Sequence, residues 1–218
     1  MTRNRFNQQL TELNMGLVHM GQLCEEAIGA AVEALSTQDE SIAREAISLE
    51  KIIDEKEREI QALCLRLLMQ QQPVASDLRI ISSAMKMITD MERIGDQAAD
   101  IAEIVIPLVE KEQFTEPRYI EEMAVATRKM VVSSVNAYVD RNVELAREVI
   151  AMDDAVDEKF TKVIGKLTKV IAEHPEQGEL ALELLMIAKY LERIGDHATN
   201  VAEWVVYSIT GVHPDAKV

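Results

Sequence analysis

Apolar residues recur every three or four positions over long stretches of this chain. Leu10, Leu13, Leu17, Met20, Ala27, Ala31 and Leu35 trace one stripe, which ends in the polar run STQDES. A second extends from Asp39 to Gln70 through Ile42, Ala46, Leu49, Ile53, Ile60, Leu63 and Leu67, interrupted only where Lys56 occupies the seam. A third starts at Ser76 with Leu78, Ile81, Met85 and Ile88, joined by a parallel row of Met87, Met91, Ile94, Ala98, Ile101, Val105 and Leu108. Residues at this spacing share one face of a 3.6-residue turn, so the pattern predicts three amphipathic helices. The double width of the third stripe predicts a helix packed on two neighbours.

The punctuation agrees. In QQQPVAS, Pro73 cannot continue a helix, and Ser76 or the residues just before it can cap the next one, which predicts a helical hairpin. Pro107 is expected to kink or end the third helix. The polar EKEQFTEPR that follows places an internal boundary near Gln113 to Pro117.

Beyond that boundary the chain repeats itself. LERIGDHATNVAE at 191–203 lies 100 positions after MERIGDQAADIAE at 91–103, with eight of thirteen residues identical. Asp157-Glu-Lys159 follows Asp54-Glu-Lys56 at an offset of 103, the difference being absorbed where QQQPVASD faces the shorter EHPEQG. The expected fold is all-α: six long helices in two tandem, pseudo-symmetric three-helix bundles, residues 1–113 and 114–218, joined end to end or side by side.

Each ERIGD segment sets Glu and Asp four residues apart, hence on one helical face: Glu92 with Asp96, and Glu192 with Asp196. The stripe continues to Asp100 and Glu103 in the first half, but to Asn200 and Glu203 in the second. The partner helices carry Glu50 with Asp54, and Asp153 with Asp157. In an antiparallel hairpin, residues equidistant from the turn lie at one level. Positions 50 and 96, like 54 and 92, centre on 73; positions 153 and 196, like 157 and 192, centre between 174 and 175. The acidic pairs should therefore stand level on neighbouring helices. Converging carboxylates raise one another's pKa unless a counter-charge is present, and a bound cation supplies one. The donors are all oxygens, with no thiolate and no histidine common to both halves. That favours divalent or trivalent hard or borderline ions, namely magnesium, manganese, calcium or iron, over a structural zinc site.

Composition narrows the choice of ligand. With 8 glycines, 5 prolines and 4% aromatic residues, turns are few and strand formers scarce among the 218 residues. The net charge of −15 repels phosphodiester backbones and anionic lipid surfaces, so no nucleic acid and no direct membrane insertion are expected; cations and basic protein patches fit better. The N-terminus has no apolar signal core, and the longest apolar run, Ile104 to Val109, is far too short to span a bilayer, so the expected location is cytoplasmic. Cys24 and Cys64 sit in apolar helical patterns and read as buried, reduced thiols.

Several residues have ordinary readings beside the functional one. Arg93, Arg193, Lys56 and Lys159 are placed to neutralise some of the acids as structural salt bridges. His197 reads as a half-exposed surface histidine, Trp204 as a packing anchor, and most methionines as core filler. Gly95 and Gly195 each cost about 1 kcal/mol in mid-helix, which close helix approach explains, or else open access to the neighbouring Asp. Three classes compete: a metal-binding adaptor, a carboxylate-bridged metalloenzyme, and a structural scaffold with a solvated acidic face. The metalloenzyme wants Glu-x-x-His on its helices, and none of His19, His174, His197 and His213 has it. No nucleophile and base pair and no glycine-rich phosphate loop stand out, so no catalytic residue is assigned.

The doubled ERIGD, the QQPVASDLR turn and the late EWVVYSITG closely resemble the PhoU family of phosphate-uptake regulators, from about residue 10 to 211. The resemblance implies two tandem three-helix bundles. It also implies metal clusters on Glu50, Asp54, Glu92, Asp96 and Asp100, and on Asp153, Asp157, Glu192, Asp196 and Asn200, the second set being the weaker because Asn200 replaces an acid. For function it implies negative regulation, in a cytoplasmic and commonly homodimeric protein linking a phosphate-specific ABC transporter to a sensor histidine kinase.

Overall fold

The computed structural model describes residues 2–70, 74–109 and 118–214. These form six α-helices and no strand: α1 (Thr2–Thr37), α2 (Glu40–Gln70), α3 (Ala75–Val109), α4 (Arg118–Val139), α5 (Val143–Glu173) and α6 (Gly178–Thr210). A 3₁₀ turn at Pro175–Gln177 joins the last two. No helix among the described residues is long and apolar enough to cross a membrane. Pro73 and the expected boundary at Gln113 to Pro117 lie outside the described residues.

Local chemistry explains the helix ends. Gln38 and Arg141, 103 positions apart, both adopt left-handed backbone (φ 55° and 51°) after α1 and α4. Each is followed by a side-chain cap: Asp39 Oδ1 accepts from Ser41 N at 2.8 Å, and Asn142 Oδ1 accepts from Leu145 N at 3.1 Å. At the start of α3 it is Asp77, not Ser76, that reaches back, accepting from Val74 N at 3.3 Å. α3 runs through Pro107 and is described as far as Val109. The missing N–H removes one intrahelical bond and leaves the long upstream ladder intact.

Within each half the helices pack as predicted, α1 on α2 and α3, and α4 on α5 and α6. Between halves, α3 lies along α6 and α1 crosses α4. The bundles are thus side by side and share one continuous core, in which Leu17, Met20, Ile28, Ile53, Met87, Ile94, Ile187 and Ile194 are fully buried. At the crossing of α1 and α4, a Cβ on Gly21 would lie 2.9 Å from Val135 Cγ2, so that glycine permits the approach. Contacts along the α3–α6 seam pair Arg79 with Gly211, Lys86 with Trp204, Asp90 with Asn200 and Asp100 with Tyr190. All four pairs centre on one level, that of Gly95 opposite Gly195, so α3 and α6 run antiparallel about a pseudo-two-fold axis. Trp204 anchors the far end, edge-on to Tyr207 and His213.

Candidate metal centre

The first cluster stands on the α2–α3 hairpin. Glu50 and Asp54, one turn apart on α2, and Asp96 on α3 each offer a carboxylate oxygen lying within 4.8 Å of the others. The backbones come this close because Gly95 faces Ile53: a Cβ there would sit 3.0 Å from Ile53 Cδ1. Burial holds the Glu50 carboxyl above its ordinary pKa, and the negative charges of Asp54 and Asp96 push it further. Glu92 is raised in the same way, by burial and then by Asp96, against the opposing pull of Arg93. Asp100 is raised by burial and by Glu103 and Asp96. Two guanidiniums touch the cluster from outside: Arg58 bonds Asp54 and Arg93 bonds Asp96, each at 3.0 Å, with 72% and 55% of their side chains exposed. Ion pairs so open to water offset little of the repulsion.

The second cluster stands on the α5–α6 hairpin and is arranged differently. Asp153 is pushed up to about 6, first by burial and then by Asp196 and Asp157, while the Thr199 hydroxyl lowers it somewhat. Its Oδ1 is buried without a hydrogen-bond partner. Gly195 leaves room here, since a Cβ would be 3.5 Å from that oxygen, an ordinary contact. Asp196 is raised by burial and by Glu192, against Lys189. Lys189 closes on Glu192 from one turn away and lies over the Phe160 ring.

Asn200 turns away from these carboxylates: its Nδ2 donates to Asp90 Oδ1 on α3 at 3.0 Å. His197 Nδ1 reaches the same oxygen at 3.0 Å, with only 19% of its side chain exposed, so the half-exposed surface reading is corrected to that of a seam residue. The pseudo-symmetric counterpart is Asp100, whose pKa Arg193 and the Tyr190 hydroxyl both lower from across the seam. Arg193 thus acts on the adjacent helix, whereas Arg93 pairs on its own. Lys56 and Lys159 neutralise neither cluster, being engaged with Glu59 at 2.5 Å and Glu122 at 3.5 Å.

Of the ten candidate residues, Glu50, Asp54 and Asp96 meet closely, and Glu92 and Asp100 lie within electrostatic reach of them. Asp153, Asp157, Glu192 and Asp196 influence one another on the second hairpin. Sequence reasoning missed Glu57, raised by burial and Asp54, and it missed Asp90 and Tyr190. The last two are equivalent positions 100 apart, and applying the level rule to the α3–α6 pair would have found them. The donor set suits a hard cation: the groups that converge at the first cluster are carboxylates, five of the candidates are held above their ordinary pKa by burial and by neighbouring acids, and Asp153 Oδ1 lacks a partner.

A family model described as the PhoU domain matches residues 17–105 and again 120–205. A phosphate-specific transport system accessory protein PhoU homolog of Clostridium acetobutylicum is 39% identical over 216 residues, 99% of both chains. The homolog from Pseudomonas aeruginosa is 35% identical over 210 residues, covering 95% of this chain and 86% of that one. Among solved structures, PhoU from Pseudomonas aeruginosa superposes with a TM-score of 0.91 at 34% identity, over 95% of this chain and 100% of the other. The phosphate transport system regulatory protein PhoU from Streptococcus pneumoniae gives 0.88 at 28%, over 96% and 99%.

Proposed function

The chain belongs to the PhoU family, and from that premise we propose that it is a negative regulator of phosphate uptake and of the phosphate-starvation response. It acts in the cytoplasm as a helical adaptor, as a homodimer, between a phosphate-specific ABC transporter and a sensor histidine kinase. The observation that carries this reading is likeness over 99% of both chains to an accessory protein of phosphate-specific transport. Long helices that expose extensive faces suit docking, and the role is regulatory, not catalytic.

The two clusters are its cation sites. Glu50, Asp54 and Asp96, with Glu92 and Asp100 beside them, would hold an ion between α2 and α3; Asp153, Asp157, Glu192 and Asp196 would hold one between α5 and α6. A bound cation supplies the positive charge these groups lack. The residues' own part is to present oxygens from two helices at one level, so that occupancy fastens each hairpin. Asn200 contributes to the seam and leaves the second site with fewer donors.

Deleting the gene should make phosphate uptake and starvation-gene expression constitutive at high phosphate; unaltered uptake would contradict the regulatory reading. The cation sites are tested separately, by elemental analysis of protein purified without chelator. Asp96→Ala combined with Asp196→Ala should lower the metal content, and an unchanged content would remove the sites.

A further inference from the structure

Away from both clusters, α1, α2 and α4 enclose a cleft of about 580 Å³. Its floor is apolar, with Val32 and Ala124 buried, Ile42 and Leu49 half-buried, and Val125 62% exposed at the edge. Around it stand four carboxylates, Glu26 and Glu33 from α1, Glu45 from α2 and Glu121 from α4. None of the four is in an ion pair among the described residues. The cation lining the cleft, Arg128, is already matched: it bonds Glu25 at 3.1 Å and lies over Gly29, where a Cβ would come 3.5 Å from the guanidinium carbon.

This acidic ring is not a by-product of the internal repeat. Carrying the 103-residue offset of the Gln38 and Arg141 turns back along α1 and α4 puts Lys129 opposite Glu26 and Asn136 opposite Glu33. The ring therefore has no full counterpart in the second half, where Glu148 answers Glu45 but neither α1 glutamate is matched by an acid.

The geometry points to this cleft as the docking site for a basic amphipathic helix of another protein, its apolar side chains on the floor and against Val125 at the edge, its lysines or arginines on the glutamate ring. Glu26 and Glu33 are seven residues apart on one helix, a rise of about 10.5 Å, which two basic residues seven apart on a partner helix match. Charge complementarity selects this occupant, because nucleic acid and anionic lipid are repelled by an unpaired carboxylate ring on a chain of net charge −15. The inference names a partner surface for the adaptor proposed above and rests on that reading.

A labelled synthetic helix with leucines along one stripe and flanking lysines, and its glutamate counterpart, titrated against the full chain by fluorescence anisotropy, tests it. Glu26→Lys with Glu33→Lys should weaken the lysine peptide at least about tenfold and create binding of the glutamate peptide. Glu148→Lys with Glu173→Lys, which raises the net charge equally at exposed positions elsewhere, should change affinity less than about twofold. Val125→Asp, an exposed change that folding tolerates, should also weaken the lysine peptide. Hydrogen exchange should show peptide protection in α1, α2 and α4 around the cleft. Equal losses in the two charge-reversal pairs, protection centred on the α2–α3 carboxylates, or binding of spermidine but not of the peptide would each overturn the proposal. In cells, Glu26→Lys with Glu33→Lys should reproduce the deletion phenotype at normal protein level and metal content. If the deletion derepresses uptake and this variant regulates normally, the cleft fails alone; if the deletion changes nothing, the adaptor reading itself fails.

Discussion

Two carboxylate clusters grow from one repeated motif, yet the α2–α3 hairpin gathers its acids where the α5–α6 hairpin disperses them. In the first, three carboxylate oxygens lie within 4.8 Å, and the opposing charges are guanidiniums on the exposed outside. In the second, Lys189 occupies Glu192, Asn200 is committed to Asp90, and Asp153 keeps a buried, unpartnered oxygen. What separates them is the tightness of the glycine contact and the partners of the outlying residues, not the motif itself. A duplicated signature preserves the positions of carboxylates more faithfully than their surroundings.

The largest expected difference is in cation affinity. Asp96→Ala should weaken binding at the first cluster by at least about a hundredfold, and Asp196→Ala the second by about tenfold from a weaker start, measured by calorimetric titration of metal-free protein. Equal losses would abolish the asymmetry. Next come the glycines. Gly95→Ala should destabilise by about 1 to 3 kcal/mol, since the new Cβ falls 3.0 Å from Ile53. Gly195→Ala should instead stabilise by up to about 1 kcal/mol from helix propensity, its nearest contacts being 3.5 Å away. Thermal melts of both variants decide the sign.

Asn200→Asp looks on paper like a repair of the second site. It should cost about 1 to 2 kcal/mol at pH 7, because it replaces a 3.0 Å hydrogen bond to Asp90 with two like charges. Part of that loss should return in melts at pH 5, as the new pair takes up a proton.

A further effect is expected on pH dependence. Asp153 holds its proton more tightly folded than unfolded, so its contribution to stability is greatest at low pH. That contribution declines as the pH rises from the ordinary value of 3.8 to about 6. Asp153→Asn should therefore flatten the apo-protein's melting temperature over that window and leave it above the parent's at pH 7. Glu50→Gln should do the same more weakly, and a flattening equal to that of Asp153→Asn would indicate that the two clusters are electrostatically alike.

Much of this was legible in the sequence because helices write their faces at a fixed period. The stripes through Leu17, Ile53 and Ile94 located the core, and a level rule anchored on Pro73 brought Glu50 opposite Asp96. Periodicity gives the face of a helix but not the neighbour it meets. The double stripe of α3 announced two partners where the helix meets three, α1, α2 and α6, so Asp90, Tyr190 and His197 could not be placed on the seam. The left-handed turns at Gln38 and Arg141 were invisible because neither residue is the glycine that usually marks such a backbone.

Asp100 is shared between the first cluster and the seam: it answers to Asp96 and Glu103 on its own helix and to Tyr190 and Arg193 on the other. An ion that draws this carboxylate inward slackens its hold on α6, and anything that tightens the seam makes the ion harder to bind, by the same free energy in both directions. Asn200, pinned to Asp90, transmits no such tension. A cation bound at each cluster would therefore bear unequally on the seam, through Asp100 in the first half and not through Asn200 in the second.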